Sequence, residues 1–319
     1  MKSDHSIKSF FIRQRSLIAL LILVSVVAVL NPKFISPDNI FNIFRQTSVN
    51  AVIAVGMTMV ILTAGIDLSV GSVLALTGAF AATMVAADIS VWLVFPVILL
   101  SGALLGAISG VLVAKGGIQP FIATLVTMTL LRGVTLVYTD GRPISSGFSD
   151  NADRFAALGI GDFLYVPIPV WIMASIFILA WFILRHTPMR RYIYAIGGNI
   201  EASRLSGINT DKVLICVYAM SGIFAALAGL IVTARLSSAQ PTAGMSYELD
   251  AIAAVVVGGT SLMGGKGKIT GTLIGALIIA FLNNALNLLD VSAYYQTIAK
   301  AIVILIAVLA DNYLARKHT

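Results

Sequence analysis

The most informative acid in this chain is Asp67, in the stretch GIDLSVGS between two apolar runs. A carboxylate at the centre of a bilayer costs about 2.5–3.5 kcal/mol on insertion scales, so there it needs a polar partner or a cavity. In a turn at the cytoplasmic surface the same residues read differently. Asp67 or Ser69 is then the N-cap of a helix that begins near Val70. The two readings are compatible, because a capped helix start can border a cavity. A second set of polar side chains sits within otherwise apolar runs: Asn50, Thr58, Asn283, Asn284, Asn287 and Gln296. Such amides and hydroxyls bind sugars and other polyols. They also make interhelical hydrogen bonds, worth about 0.6 kcal/mol on average, and for any one of them packing is the simpler role.

Signals for bond-making chemistry are poor. The turn TSLMGGKG is close to a phosphate-binding loop but fails its pattern. Thr260 stands at the first glycine, and Gly267 stands where a Ser or Thr would hold magnesium. His5, His186 and His318 lie in tails or at an apolar edge, so no histidine cluster for a metal or a triad is available. No GxSxG occurs. Cys216 is the single cysteine, which leaves neither a disulfide framework nor a thiolate metal site. The chain is expected not to be an enzyme, to bind no metal or cofactor, and not to hydrolyse ATP by itself.

The elements that must position these residues follow from composition. Of 319 residues, 58% are hydrophobic and 11% charged, against about 25% charged in a soluble domain. There is too little polar surface to coat a globule in water, so the chain is read as one polytopic all-α membrane domain over 1–319. The net charge of +7 reflects Lys and Arg beside apolar runs, which act as topology signals and do not suggest nucleic acid. The basic, then apolar, N-terminus lacks a clear cleavage site and reads as a retained signal anchor. A helix needs about 20 apolar residues to cross the bilayer. Ten segments are candidate spans: 17–30 with part of its flank, 49–63, 70–87, 91–114, 120–138, 168–184, 213–233, 249–263, 270–289 and 295–314. The runs are continuous rather than alternating, which excludes a β-barrel.

Sidedness follows from counting. Basic clusters occupy the tail (Lys2, Lys8, Arg13, Arg15), a central insert (Arg185, Arg190, Arg191, Arg204, Lys212), a turn (Lys266, Lys268) and the C-terminus (Arg316, Lys317). Even numbers of spans separate them, so all four are expected in the cytoplasm, with 1–16 a cytoplasmic tail and 139–167 outside. Two spans, 49–63 and 249–263, are short and run into the glycine-bearing stretches TAGIDLSVGS and GGTSLMGGKGKITG. Paired interrupted helices point to a substrate path, and glycines equally serve close helix packing. Both segments cross in the same direction, so they are not an inverted pair. A path would lie near 64–71 and 258–268, lined partly by Asn50, Asp67, Ser69 and Asn283.

The insert at 185–212 holds the stretch AIGGNIEASRLSGINTDKV. Pro188 and the Gly197–Gly198 pair break the chain, Asn199 is a good N-cap, Glu201 suits the first turn, and Gly207 stops the helix. A helix of about two turns, roughly 200–206, is expected between glycine hinges. It is too short to be stable alone and needs something to dock against.

Here the sequence resembles a known family. GGNIEASRLSGI looks like the cytoplasmic coupling segment of ribose-type sugar permeases of bacterial ABC importers. NIFNIFRQTSVNAVIAVGMTMVILTAGIDLSVGS and AIAAVVVGGTSLMGGKGKITGTLIGALI resemble two further blocks of that family. The resemblance implies an inner-membrane homodimer or pseudo-dimer of ten-span subunits. It also implies a cytoplasmic ATPase carrying ATP and Mg, and a periplasmic sugar-binding protein that supplies most selectivity. It assigns ATPase coupling to Gly198, Asn199, Glu201, Ala202, Arg204, Leu205 and Gly207. Unlike the EAA loop of other importers, Ala202 is followed by Ser203, so docking details are left open. Asp140, Arg142, Asp150, Asp153 and Arg154 in the outer loop suit a salt-sensitive encounter with the binding protein. The resemblance does not single out the sugar. An ion-coupled secondary transporter and a non-transporting scaffold are the competing classes, and Asp67 alone is a thin basis for ion coupling.

Overall fold

A computed structural model describes residues 15–316. The calls on the rest of the tail 1–16 (Lys2, Lys8 and Arg13) and on Lys317 fall outside the described residues. The chain forms α1 (Arg15–Leu30), α2 (Pro37–Leu62), α3 (Val70–Ala86), α4 (Val91–Ala114), α5 (Pro120–Tyr138), α6 (Asp150–Ile160) and α7 (Ile168–His186). It continues with α8 (Pro188–Gly198), α9 (Ile200–Leu205), α10 (Thr210–Leu236), α11 (Tyr247–Val257), α12 (Ile269–Leu288) and α13 (Ala293–Arg316). Two-residue strands complete it: β1 (Ile144–Ser145) pairs with β4 (Ser238–Ala239), and β2 (Asp162–Phe163) with β3 (Val166–Pro167), both antiparallel.

Each apolar segment expected from sequence overlaps a helix. Among the described residues six helices are long and apolar enough to cross a membrane: α2, α4, α5, α7, α10 and α12. The 16-residue α1 and 17-residue α3 are shorter. The stretch expected to span at 249–263 yields only the 11-residue α11, which rises about 16 Å, half a bilayer core. It stops at Val257 because Gly258 and Gly259 follow, the latter at φ +88. In contrast, the helix expected from 49 begins at Pro37. Extended Ser36 precedes it, proline fills its first position, and Asp38 sits in its first turn. The stretch 139–167 is not a plain loop. Ser149 Oγ accepts from the Ala152 N–H at 3.3 Å and starts α6. Outward faces carry large apolar side chains, such as Trp92, Leu100 and Leu104 on α4, as a lipid-facing surface requires.

Helix α2 is the axis of the molecule. Every residue from Ala51 to Leu62 is buried. Helix α10 packs against α2, α3 and, most extensively, α4. The α4–α10 contact is backbone on backbone. A Cβ on Gly102 would strike the Gly222 carbonyl, and one on Gly106 would strike the Tyr218 carbonyl.

The two ends of the bundle differ. Ser16 Oγ donates to Val257 O at 2.8 Å, and Asn31 Nδ2 to Leu288 O at 3.3 Å, so α1 runs the length of the bundle. Tyr194 Oη donates to Gly267 O at 2.7 Å, which sets the insert 185–212 against the turn 258–268. Helix α7 leads from the 139–167 end to that end, and α10 leads back.

Candidate functional site

The polar residues within the apolar runs separate into two groups. Thr58 and Thr272 share a hydrogen bond of 2.7 Å. Asn39 and Asn284 form a reciprocal amide pair at 3.0 and 2.9 Å. Gln296 Nε2 donates to Asn287 Oδ1 at 2.7 Å. These four expected candidates, Thr58, Asn284, Asn287 and Gln296, therefore tie helix to helix. Asn50 and Asn283 instead wall a cavity of about 380 Å³ bounded by α2, α11 and α12. Asn50 Nδ2 donates to Asp250 Oδ2 at 3.4 Å, and Lys300 Nζ lies 3.1 Å from the same carboxylate. Arg45 stands on the same wall, with Nη2 3.0 Å from Asp162 Oδ1 of the β2–β3 hairpin.

Asp67 and Ser69 do not line this cavity. Asp67 is 1% exposed. Its Oδ1 accepts from the Ser69 N–H at 3.0 Å and the Ser69 hydroxyl at 2.6 Å, and its Oδ2 accepts from the Ser221 hydroxyl at 2.7 Å. Gly56 also abuts Ser221. Residues 63–69 thus turn back beside α2, and Asp67 shares Ser221 with Gly56 of that helix. Ser69 occupies the N-cap position of α3 without a side-chain cap bond. Asp67 instead pins the turn to α10. Asp67→Ala would leave three donors unmet, at about 1–3 kcal/mol for each buried group. Asp67→Asn keeps an acceptor for Ser69 and offers an N–H to Ser221. We expect the alanine variant to melt several degrees lower in detergent and the asparagine variant to melt near the parent. Equal melting temperatures for the two would refute this.

At the opposite end, Asn199 Oδ1 accepts from the Ala202 N–H at 2.9 Å and caps α9, while Gly207 follows it at φ +83. Both features match the sequence expectation. Glu201, Ala202, Arg204 and Leu205 are exposed, Leu205 at 90%, and Ser203 faces inward. Arg204 lies 3.6 Å from Glu201 and 3.8 Å from Asp211. The glycine pair departs from expectation. Gly197 and Gly198 belong to the last turn of α8, and only extended Asn199 separates α8 from α9. A Cβ on Gly197 would fall on the Leu62 carbonyl. The Gly265 N–H donates to that same carbonyl at 3.0 Å, and Gly264 abuts Ala64. Both interrupted segments therefore meet beneath α8. A groove of about 520 Å³ opens there, lined by residues that include Thr63, Gln119, Asn199, Arg204 and Tyr218. From Asn50 to Thr63 the axis of α2 rises about 20 Å, through residues that are all buried between the two. The charges Asp140, Arg142, Asp150, Asp153 and Arg154 are exposed at the far end.

The cavity and the groove lie toward opposite ends of the buried stretch of α2. The family described as "Branched-chain amino acid transport system / permease component" matches residues 39–308. The chain belongs to this permease family. It is similar to the ribose import permease protein RbsC of Haemophilus influenzae, at 70% identity over 315 residues, 99% of this chain and 98% of that one. The protein of the same name from Escherichia coli is 62% identical over 305 residues, covering 96% and 95%. That from Bacillus subtilis is 55% identical over 295 residues, covering 92% and 91%. No solved structure matches the chain.

The permease also uses ionisable residues that the sequence reading passed over. Arg132 Nη1 donates to Pro241 O at 2.6 Å and Ala243 O at 2.9 Å, which satisfies irregular backbone between α10 and α11. Arg45, Asp250 and Lys300 gather at the cavity. Each stands in or beside an apolar run, and that placement is itself the signal that would have found them.

Proposed function

We propose that this permease is the membrane-spanning subunit of an ATP-driven, binding-protein-dependent importer. It carries ribose, or a closely similar monosaccharide, across the bacterial inner membrane by alternating access. The names of its relatives support the sugar. The observation that carries the mechanism is the pair of chambers, separated by the buried stretch of α2, with a capped and exposed helix beside one of them. Asn50 and Asn283 belong to the outer chamber of the path, and Asp67 and Ser69 hold the interrupted segment that borders the groove at the other end. The α9 end faces the cytoplasm, with both termini and 185–212. There Gly198, Asn199, Glu201, Ala202, Arg204, Leu205 and Gly207 engage a separate ATPase, which binds ATP and Mg. The 139–167 end faces the periplasm, and its five exposed charges meet the sugar-binding protein. A second copy completes the membrane unit.

ATP-dependent ribose uptake into vesicles holding the permease, its ATPase and its binding protein tests this reading. Uptake that survives ATP depletion and collapses with the proton gradient would overturn it. In the same assay Glu201→Ala and Arg204→Ala report on the docking helix. In water their pair is worth a few tenths of a kcal/mol. Desolvated in a partner groove, either contact is worth about 2–5 kcal/mol. We expect both variants to insert normally, to retain less ATPase on co-purification and to import less sugar per ATP.

A further inference from the structure

Five buried side-chain polar atoms lack a hydrogen-bond partner among the described residues: Arg45 Nε, Asn50 Oδ1, Asn283 Oδ1, Ser109 Oγ and Thr260 Oγ1. The first three belong to residues that wall the cavity between α2, α11 and α12. A buried polar group without a partner is costly, so three on one wall mark a place for a ligand to meet them. Both amides stand on the cavity wall, and the Asn50 oxygen is left unmet while its Nδ2 holds Asp250. The unmet set is two acceptors and one donor, the complement of hydroxyl groups, each of which donates and accepts through one oxygen.

Two of the basic side chains around this site are already engaged. Arg45 Nη2 is 3.0 Å from Asp162, and Lys300 Nζ is 3.1 Å from Asp250. An α-amino acid would need a carboxylate for its ammonium group, and the cavity wall offers only Asp250, which Lys300 and Asn50 already hold. Arg235 on the same wall adds N–H donors that a hydroxyl can accept. Ile43, Val49 and Ile279 supply apolar surface for the C–H face of a ring. At about 380 Å³ the cavity lies at the small end of ligand pockets, which run from about 300 to 1,000 Å³.

We infer that this cavity is a polyol-selective subsite, in which Asn50 and Asn283 accept from hydroxyls of a neutral sugar and Arg45 donates to one. The permease then discriminates against amino acids itself, instead of leaving all selectivity to a binding protein. The inference rests on the sugar-import reading above and assigns its specificity to particular residues.

The test is equilibrium dialysis of radiolabelled ribose and leucine against the detergent-purified permease–ATPase complex, with no binding protein present. The expected result is retention of ribose well above that of leucine, falling at least tenfold in Asn50→Leu and Asn283→Leu. Asn283→Ser, which keeps a hydrogen-bonding oxygen, should recover part of the loss and exclude a folding defect. Leucine retained as well as ribose, no ribose retention by the parent, or unchanged retention in both leucine variants would each overturn the subsite. ATP-driven ribose uptake by the parent in vesicles is measured in parallel. Its absence defeats the import reading, whereas its presence with unaltered variants defeats only the subsite.

Discussion

A valine at position 197 is expected to stop sugar import outright. Gly197 has no room for a side chain, since its Cβ would fall on the Leu62 carbonyl and close to the Gly265 amide. Those two groups are hydrogen-bonded to each other at 3.0 Å. A side chain here must therefore part the end of α2 from the turn 258–268. The obstacle is backbone, which cannot swing aside as a long side chain can. Helix α9 begins at Ile200, just beyond extended Asn199. On the coupling reading, a push on α9 reaches both interrupted segments through this joint, and Tyr194 holds the same turn at Gly267 O, 2.7 Å away. Gly197→Val should abolish uptake while the protein still inserts, and Gly197→Ala should lie between valine and the parent. Gly133→Ala is the control, because a Cβ there meets nothing within 4 Å. Uptake in vesicles, normalised to inserted protein, decides. A valine variant that imports sugar within twofold of the parent would refute the joint.

This joint also shows where the sequence stops being informative. GGN between two isoleucines reads as a hinge, because glycine is permissive and the partners of Gly197 lie far away in sequence. Leu62 and Gly265 can be placed beside it only once the chain is folded. The sorting of the asparagines has the same cause. Asn283 and Asn284 are neighbours in one apolar run, yet Asn284 pairs with Asn39 while Asn283 Oδ1 is left unmet. Helix phase and the facing helix decide this, and neither is written locally. The apolar helices were legible, because long apolar runs have few other solutions, whereas the polar helices α6 and α8 were not. The cap at Asn199 and the stop at Gly207 were legible too, since both depend on local backbone chemistry. The true end of α11 was not. The run 249–263 carries no charge past Asp250 and ends in Leu262 and Met263, and such a pattern does not distinguish a continuing helix from a glycine turn. Asp67 was recognised as the acid needing an explanation, but its anchoring partner Ser221 lies on α10, 154 residues away.

The second large effect is expected at Gly106, where leucine should prevent the bundle from assembling. Gly102, Gly106 and Gly110 recur every fourth residue along α4 and so share one face. Gly102 meets Gly222 of α10, Gly106 meets Tyr218 and Gly222, and Gly110 meets Ile215 and Tyr218. Within a bilayer, lipid is as apolar as leucine, so two helices stay together through close van der Waals contact rather than expulsion of water. Overpacking usually costs about 1–3 kcal/mol where side chains can shift. Here a Cβ on Gly106 would strike the Tyr218 carbonyl itself, so the helices have to separate along this face and lose the contact that holds them. Ser221, which donates to Asp67 at 2.7 Å, is on the same turn of α10. Parting the helices thus also pulls on the anchor of the interrupted segment. Gly106→Leu is expected to fall to about a tenth of the parent in folded, monodisperse protein, with Gly106→Ala intermediate. Leu104→Ala, at a side chain 60% exposed on the outer face, should change little. Fluorescence-detected size exclusion of detergent extracts measures all three, and a monodisperse leucine variant at parental yield would show that α4 and α10 do not depend on this glycine face.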